Sequence, residues 1–559
     1  MKPIRGVNAL TGWRCGLAAA LCVALATAAC AQQPAPDASI PAQNSEGAKP
    51  AQLITPEQAR QLFASVDPIM KFDSQDSGLP IKSTVKRQLT TRAAVEHYLE
   101  DQLNSDRDSM RLERDEIVLK KFGLLDRDFA LKPFLLQLLR EQIAAYYNPK
   151  TKTINLLNWV QPNQQKPVMA HELTHALQDQ YCDLEKWENQ TPESVSTTAA
   201  SDQAHLAKDE MDTARNAVAE GQATAVMMNY ILQPMGKSLV KDPGIITAIE
   251  QQMRAASATS PVMARAPLLL SESMLFPYRE GLSFVQNVWM AEGRTAAFAG
   301  TLDHPPTSTW QILNPRAYEK KIIPPVPLLP NIHPLVDKLY RPYDIGQVGQ
   351  LDVKIMTHLF GGEITSRYLT PEWDGGLYWA GQLRSAKTPA AQDSTKSLAL
   401  LYLSVWHTPA AAAVFADLYA NSLNSTYSMV EPDAAAQKSA SALDGSVEQD
   451  LLTEEGPVVI TSRGNMVFVA ESFPLKLARQ LTNLILGVQG TGPEQMTQAE
   501  PPAWPFVQPA AAPRSANQIG EPLSADLVHF FSHYGVLKAV VDAEMETAAG
   551  LRQGAAKAH

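Results

Sequence analysis

Cysteine is scarce in this chain, and a basic surface signature is missing. Of 559 residues only four are cysteine. Cys15 and Cys22 fall inside the N-terminal apolar segment, so only Cys30 and Cys182 could act in a processed chain. That count argues against a cysteine-ligated structural zinc. The formal net charge of −10 argues against nucleic acid as a partner, because nucleic-acid-binding domains carry an excess of Lys and Arg.

Long apolar runs are also missing beyond the first thirty residues. Residues 1–30 combine a basic start with the run CGLAAALCVALATAAC, which is too short and too alanine-rich for a spanning helix and is typical of an export signal. The end of this run resembles a bacterial lipobox with an unusual Thr27, whereas Ala29-Cys30-Ala31 would serve as an ordinary cleavage site. We therefore expect an exported protein, either free in the periplasm or attached to the cell envelope through a lipid on Cys30.

The fate of Cys30 decides what Cys182 can do. If Cys30 is acylated, Cys182 is an unpaired thiol. If the signal is cut before Cys30, a bridge between the two is conceivable.

Composition divides the rest of the chain into segments. Pro, Ala, Gln and Ser dominate the first of them, and a second Pro/Ala/Gly-rich stretch lies near the C-terminus. The predicted segments are a flexible tether (31–55), a main region (56–487), a linker or arm (488–523) and a C-terminal helical tail (524–559).

Periodicity predicts an α+β protein that is mainly helical. Helical patterns dominate from about residue 56 to residue 147, with Thr55 as an N-terminal cap, and a turn at Asn148-Pro149-Lys150 precedes a short strand. A polar loop is expected at 183–203. Helices are expected to dominate after it, apart from two strands within 456–473 that are followed by a helix at 475–486.

The stretch KPVMAHELTHALQDQYCDL, residues 166–184, places two histidines four residues apart with a glutamate directly after the first. On a helix, His171 and His175 lie about 40° apart, so both imidazoles can reach one ion. Glu172 is offset enough to miss the metal and hold a water beside it. The apolar residues share the opposite side: Met169, Leu173, Ala176 and Leu177. The alternative is a surface helix with two solvated histidines.

A catalytic zinc usually takes three protein ligands, so a third is needed. Gln178 and Tyr181 exclude the pattern HExxHxxGxxH, and no suitable earlier cysteine exists. Glu220 is the best candidate, because it is a lone acid among small and apolar residues, where an unpaired charge is costly. The alternative is a Glu220 that pairs with Arg215 or lies exposed at a bend. Four neighbouring acids look solvated: Asp202, Asp209, Glu210 and Asp212.

Several sequence blocks together resemble a group of exported bacterial proteins assigned to the gluzincin branch of zinc metallopeptidases. The blocks are HELTHALQDQ, the later Glu220-Gly221 helix, FPYREGLSFV at 276–285, HPPTSTWQILNPRAY at 304–318 and EWDGGLYW at 372–379. The resemblance covers roughly residues 85–475. It implies a gluzincin-like core with a small β element before the HExxH helix, and zinc bound by His171, His175 and Glu220.

The resemblance also implies a mechanism. Zinc would polarise a peptide carbonyl, and Glu172 would take a proton from water and hand it to the leaving amine. Candidate donors to the oxyanion are Tyr278, His304 and Tyr318. One residue departs from the gluzincin pattern: Thr224 stands where an aspartate would help to orient a histidine. Another acid, which the sequence does not identify, is expected in that role.

Two other functions stay open at this point. The chain could be a non-catalytic envelope lipoprotein or binding module that retains the fold, or a zinc hydrolase acting on a non-peptide amide. Other suggestive residues are weaker. The HFFSH stretch (529–533) is expected to be a helix with half-buried histidines, and Asp374 is expected in a turn.

Overall fold

Three β-sheets and many helices make up the described part of the chain. The computed structural model describes residues 53–104, 106–188, 198–438, 445–489, 497–498, 524, 527 and 537–557. The helices are α1 (Pro56–Ala64), α2 (Val66–Ser77), α3 (Arg92–Leu103), α4 (Asp106–Lys121), α5 (Leu131–Gln142), α6 (Pro162–Cys182), α7 (Leu184–Glu188), α8 (Ala199–Leu206), α9 (Met211–Leu232), α10 (Ile245–Thr259), α11 (Leu268–Glu292), α12 (Thr301–Asp303), α13 (Thr309–Leu313), α14 (Pro315–Glu319), α15 (His333–Val336), α16 (Gln350–Leu369), α17 (Pro389–Gln392), α18 (Pro409–Thr426), α19 (Ala434–Lys438), α20 (Leu475–Gln489) and α21 (Lys538–Lys557).

The strands belong to three sheets, one of them only a short two-stranded pair. They are β1 (Lys86–Thr90), β2 (Tyr146–Asn148), β3 (Thr153–Leu157), β4 (Pro325–Val326), β5 (Tyr340–Gln347), β6 (Trp373–Leu383), β7 (Leu398–Trp406), β8 (Val430–Pro432), β9 (Ser446–Thr453), β10 (Gly456–Arg463), β11 (Met466–Glu471) and β12 (Thr497–Gln498). The fold is thus mixed α+β and rich in helix, as predicted.

A small three-stranded sheet precedes the HExxH helix, as expected. Its order is β1-β3-β2, with β3 parallel to β1 and antiparallel to β2. Asn148 ends β2 and accepts hydrogen bonds from the backbone of Lys150 and Thr151, which closes the predicted turn. Strand β2 is therefore an edge strand, and it brings Tyr147 against α6.

Helices supply more residues than strands after residue 203, as predicted, but the expectation of only two strands there is wrong. Seven antiparallel strands form a sheet in the order β5-β6-β7-β11-β10-β9-β8. Helix α18 packs on one face through Phe415 and Tyr419, and α20 packs on the other through Leu481 and Ile485. Only the β10–β11 hairpin and the helix after it were predicted, and both are confirmed. The expected turn at Asp374 is instead the irregular start of β6.

Helices α2, α6, α9 and α11 form a buried layer beneath the small sheet. Helix α9 is buried over almost its whole length. Among the described residues, no helix is both long and apolar enough to cross a membrane.

Several predicted segments lie largely or wholly outside the described residues. They are the export signal, the tether up to residue 52, most of the arm 488–523 and the HFFSH stretch. In the C-terminal tail, residues 538–557 form the predicted helix, α21, which packs on α10.

Asp73 on α2 offers a stability prediction away from any active site. It is fully buried, and neither carboxylate oxygen has a hydrogen-bond partner among the described residues. Burial, and then the charge of Asp76, raise the pKa of Asp73 well above its usual value. Because the pKa is higher in the folded state, this group favours folding most below pH of about 4 and progressively less as the pH rises.

We therefore expect Asp73→Asn to stabilise the protein at neutral pH by at least about 1 kcal/mol, because asparagine has no ionised form whose burial costs free energy. Thermal unfolding of the wild type and of Asp73→Asn between pH 4 and pH 8 should show that the difference in stability between them grows as the pH rises. The exposed control, Asp128→Asn, should show no such trend. A stability difference between Asp73→Asn and the wild type that shrinks as the pH rises would contradict the prediction.

Candidate metal centre

Helix α6 carries the HELTH residues in the interior of the protein. His171 and Glu172 are fully buried, and His175 is 7 % exposed. The apolar side of the helix, which includes Leu173 and Leu177, is buried as well. The helix is therefore enclosed on all sides from Pro167 to Asp179, and the alternative of a surface helix with solvated histidines is wrong.

The third predicted ligand lies beside the two histidines. Glu220 in α9 is 2 % exposed, and its Oε2 atom lies 3.0 Å from Nε2 of His171 and 3.4 Å from Nε2 of His175. The two Nε2 atoms are 3.0 Å apart. Arg215 does not pair with Glu220; its guanidinium donates to the carbonyl of Trp187.

This triangle of donor atoms fits a metal ion. In tetrahedral zinc sites, bonds of about 2.0–2.2 Å separate neighbouring donor atoms by roughly 3.3–3.6 Å. The observed separations of 3.0–3.4 Å are close to that range. Two imidazoles and one carboxylate are also a donor set that divalent transition metals accept. The buried group of His171, His175 and Glu220 could therefore bind a metal ion.

The same three groups shift one another's pKa values. Burial lowers the pKa of His171 to about 4. Burial would lower the pKa of His175 too, but the Glu220 carboxylate raises it to about 9. Burial works against ionised Glu220, yet the two imidazoles lower its pKa to about 2. The Glu220 carboxylate and the His175 imidazole thus favour each other's charged forms.

Glu172 is held next to this triangle by the small sheet. Its Oε2 atom accepts a 2.6 Å hydrogen bond from the backbone N–H of Tyr147, on the edge strand β2. The Tyr147 hydroxyl donates to Asp179, one turn beyond His175 on α6. Strand and helix are therefore tied together at two points, one of which orients the candidate base.

No family model matches this chain, and comparisons with curated proteins and with solved structures likewise found no match. The gluzincin resemblance therefore depends on the motif residues and their geometry.

The structure brings one of the three candidate oxyanion donors to the centre. Tyr278 on α11 is buried and hydrogen-bonds Glu220, and its ring centroid is 6.1 Å from that of His171. Burial and the Glu220 charge raise its pKa well above the usual value. By contrast, the Tyr318 hydroxyl donates to the backbone carbonyl of His304, so these two residues contact each other.

Helices α9 and α11 approach closely enough for that contact because glycines face each other. A Cβ atom on Gly221 would collide with the backbone of Gly281, and one on Gly281 would collide with the carbonyl of Ala217. The small residues around Glu220 thus allow α11 to lie close against α9.

The histidine-orienting acid predicted from the sequence is instead an amide. Gln178, one turn after His175 on α6, places Oε1 2.8 Å from Nδ1 of His175. Among the described residues, Nδ1 of His171 has no hydrogen-bond partner. The spacing of Gln178 could have revealed this role, because residues three apart are neighbours on a helix face.

The four acids expected to be solvated are buried, so that prediction is wrong. Asp202 accepts from His333, and Asp209 lies 3.2 Å from His205. Glu210 accepts from the hydroxyl and backbone N–H of Thr309. Asp212 is 1 % exposed. Their polar neighbours in sequence suggested water, whereas Asp202 and Glu210 are bound by partners from distant segments.

Proposed function

We propose that this protein is a zinc-dependent peptidase of the gluzincin type, with His171, His175 and Glu220 as metal ligands and Glu172 as general base. The observation that supports this most is the buried triangle of donor atoms, with Glu172 positioned beside it. A buried site with two imidazoles and one carboxylate leaves a fourth position for water or substrate in a catalytic zinc centre.

Zinc bound there would supply a Lewis acid that polarises a carbonyl and lowers the pKa of a water. The rest of the proposal concerns the chain's own groups. The Tyr147 N–H fixes the Glu172 carboxyl group, which would accept the proton of the attacking water and deliver it to the leaving amine. Tyr278 would orient the Glu220 carboxylate through its hydroxyl.

One observation favours a rival function. The ligands are at most 7 % exposed, so a peptide substrate would have to reach a buried ion. A non-catalytic envelope lipoprotein or binding module with the same metal would have such a centre. Measuring both the zinc content and the peptide hydrolysis of the wild type distinguishes the two functions.

The test measures zinc in the purified protein by elemental mass spectrometry, beside His171→Ala and Glu220→Ala. About one zinc per chain, reduced in both variants, is expected. A peptide-library digest by the zinc-loaded wild type should then yield cleavage products. Wild-type protein that neither contains zinc nor takes it up would refute the proposal, and zinc without any hydrolysis would favour the binding module.

We also propose that the protein is exported, either as a periplasmic protein or with a lipid on Cys30. The proposal depends on the apolar run within residues 1–30. Peptides or proteins outside the cytoplasm would then be the substrates.

A further inference from the structure

A chain of buried amides connects the candidate metal ligand His175 to a distant helical turn. It runs from His175 through Gln178 to Gln222 and ends at the π-helical turn Ala296–Gly300 and at Thr301. Both glutamines are fully buried. Each contact is 2.8–3.1 Å long. The backbone carbonyls at the end away from His175 allow only one orientation of the two side-chain amides.

The orientation of Gln222 follows from its partners at the π-helical turn. One end of its side chain contacts the carbonyl oxygens of Ala297 and Phe298, at 3.0 and 3.1 Å. Backbone carbonyls only accept hydrogen bonds, so the amide nitrogen must be at this end. The hydroxyl of Thr301 already donates to the same carbonyls and thus accepts from Gln222 as well. The Gln222 oxygen is left facing Gln178.

The orientation of Gln178 is then fixed twice. Its nitrogen lies 2.9 Å from the Gln222 oxygen and 2.9 Å from the carbonyl of Ala219, and both of these are acceptors. Its own oxygen must therefore face Nδ1 of His175. An oxygen acceptor there requires a proton on Nδ1, and in the neutral imidazole this leaves the lone pair on Nε2, which points towards Glu220.

We propose that Gln178 and Gln222 form an amide relay that holds His175 in the tautomer required for metal binding through Nε2. The inference rests on the metal centre of the proposed function and adds two positioning residues to it. Gln222 acts only through Gln178, because of the two glutamines only Gln178 hydrogen-bonds the imidazole of His175. Helix α9 therefore supplies both the ligand Glu220 and, two residues later, a residue that orients the ligand on α6.

The test is a double-mutant cycle on zinc affinity, measured by competition with a chromophoric chelator at fixed pH. Gln178→Met removes the acceptor and should weaken zinc binding about 10–100-fold, the usual loss for a partner of a ligand. Gln222→Met should cost less, because the carbonyl of Ala219 still restrains Gln178. The double variant should bind zinc as weakly as Gln178→Met alone, since a residue that acts through another adds nothing once the other is gone.

Gln286→Met is the matched control. Gln286 is a buried glutamine on α11 whose amide donates to the carbonyl of Leu239. Its loss should leave zinc affinity unchanged. Losses that add in the double variant, or unchanged affinity in Gln178→Met, would overturn the relay while wild-type zinc binding still stood. A wild type without zinc affinity would instead refute the proposed function.

If Gln178→Met fails to fold, the tautomer of His175 can be measured in the wild type instead. Long-range ¹⁵N–¹H correlation spectra of the zinc-loaded, ¹⁵N-histidine-labelled chain should show the proton of His175 on Nδ1. A proton on Nε2 of His175 would overturn the proposal.

Discussion

Glu172→Gln should abolish most peptide hydrolysis and leave the metal bound. The amide is nearly isosteric and can still accept the hydrogen bond from the N–H of Tyr147, so the side chain keeps its place. It cannot take a proton from water, and loss of a general base typically costs about 10²–10⁴-fold in rate. His171, His175 and Glu220 are unchanged, so zinc content should match the wild type. The measurement is kcat on a peptide found by the library digest, together with zinc per chain.

Glu185→Gln is the control for this prediction. Glu185 lies on the short helix α7 and is exposed, so the same chemical change there should alter neither rate nor zinc content. Full activity in Glu172→Gln would remove Glu172 from the mechanism. If zinc were lost along with activity, Glu172 would be needed to assemble the centre, and its role as base would lose its support.

The two halves of the metal centre were predictable because each has a local signature. His171 and His175 are four residues apart, and any α-helix brings such a pair onto one face, whatever packs around it. Glu220 was detectable because a charge in an apolar helix needs a partner, and its partners are indeed the two histidines. Neither signature depends on how the rest of the chain folds.

The large sheet was missed because its central strands lack alternation. In β7, all nine residues from Leu398 to Trp406 are buried, since helices cover both faces of the sheet. A strand buried on both sides has a continuous apolar pattern that periodicity does not distinguish from a buried helix. The β10–β11 hairpin was predictable because the turn around Gly464 separates two short apolar runs.

Two of the groups that order the centre depend on contacts between distant segments. Tyr147 comes 25 residues before Glu172, and Gln222 comes 44 residues after Gln178. No spacing rule connects such pairs. The sequence departs from the gluzincin pattern at Thr224, and from this we expected another acid, yet a neutral amide at Gln178 fills the place. Hydrogen-bond geometry only requires an acceptor at Nδ1 of His175, and an amide oxygen is as suitable an acceptor as a carboxylate.

Gly281→Ala should destabilise the protein and weaken zinc binding together. The added methyl group would collide with the carbonyl of Ala217, a backbone atom that cannot move without shifting α9. Overpacking of this kind typically costs about 1–3 kcal/mol. Because α9 also carries Glu220 and α11 carries Tyr278, separating the helices would pull the third ligand and its partner out of place. Thermal unfolding and chelator competition would measure the two effects.

Gly487→Ala provides a control of opposite sign. Gly487 lies exposed on α20, and among the described residues nothing beyond its chain neighbours and the backbone of its own helix is within 4 Å of the position its Cβ would occupy. Alanine there should stabilise the helix by about 0.5–1 kcal/mol. If Gly281→Ala also raised stability, or kept full zinc affinity while losing stability, close packing of α9 on α11 would not be what positions Glu220. A joint loss in Gly281→Ala alone would mean that the centre depends on interhelical spacing as much as on its ligands.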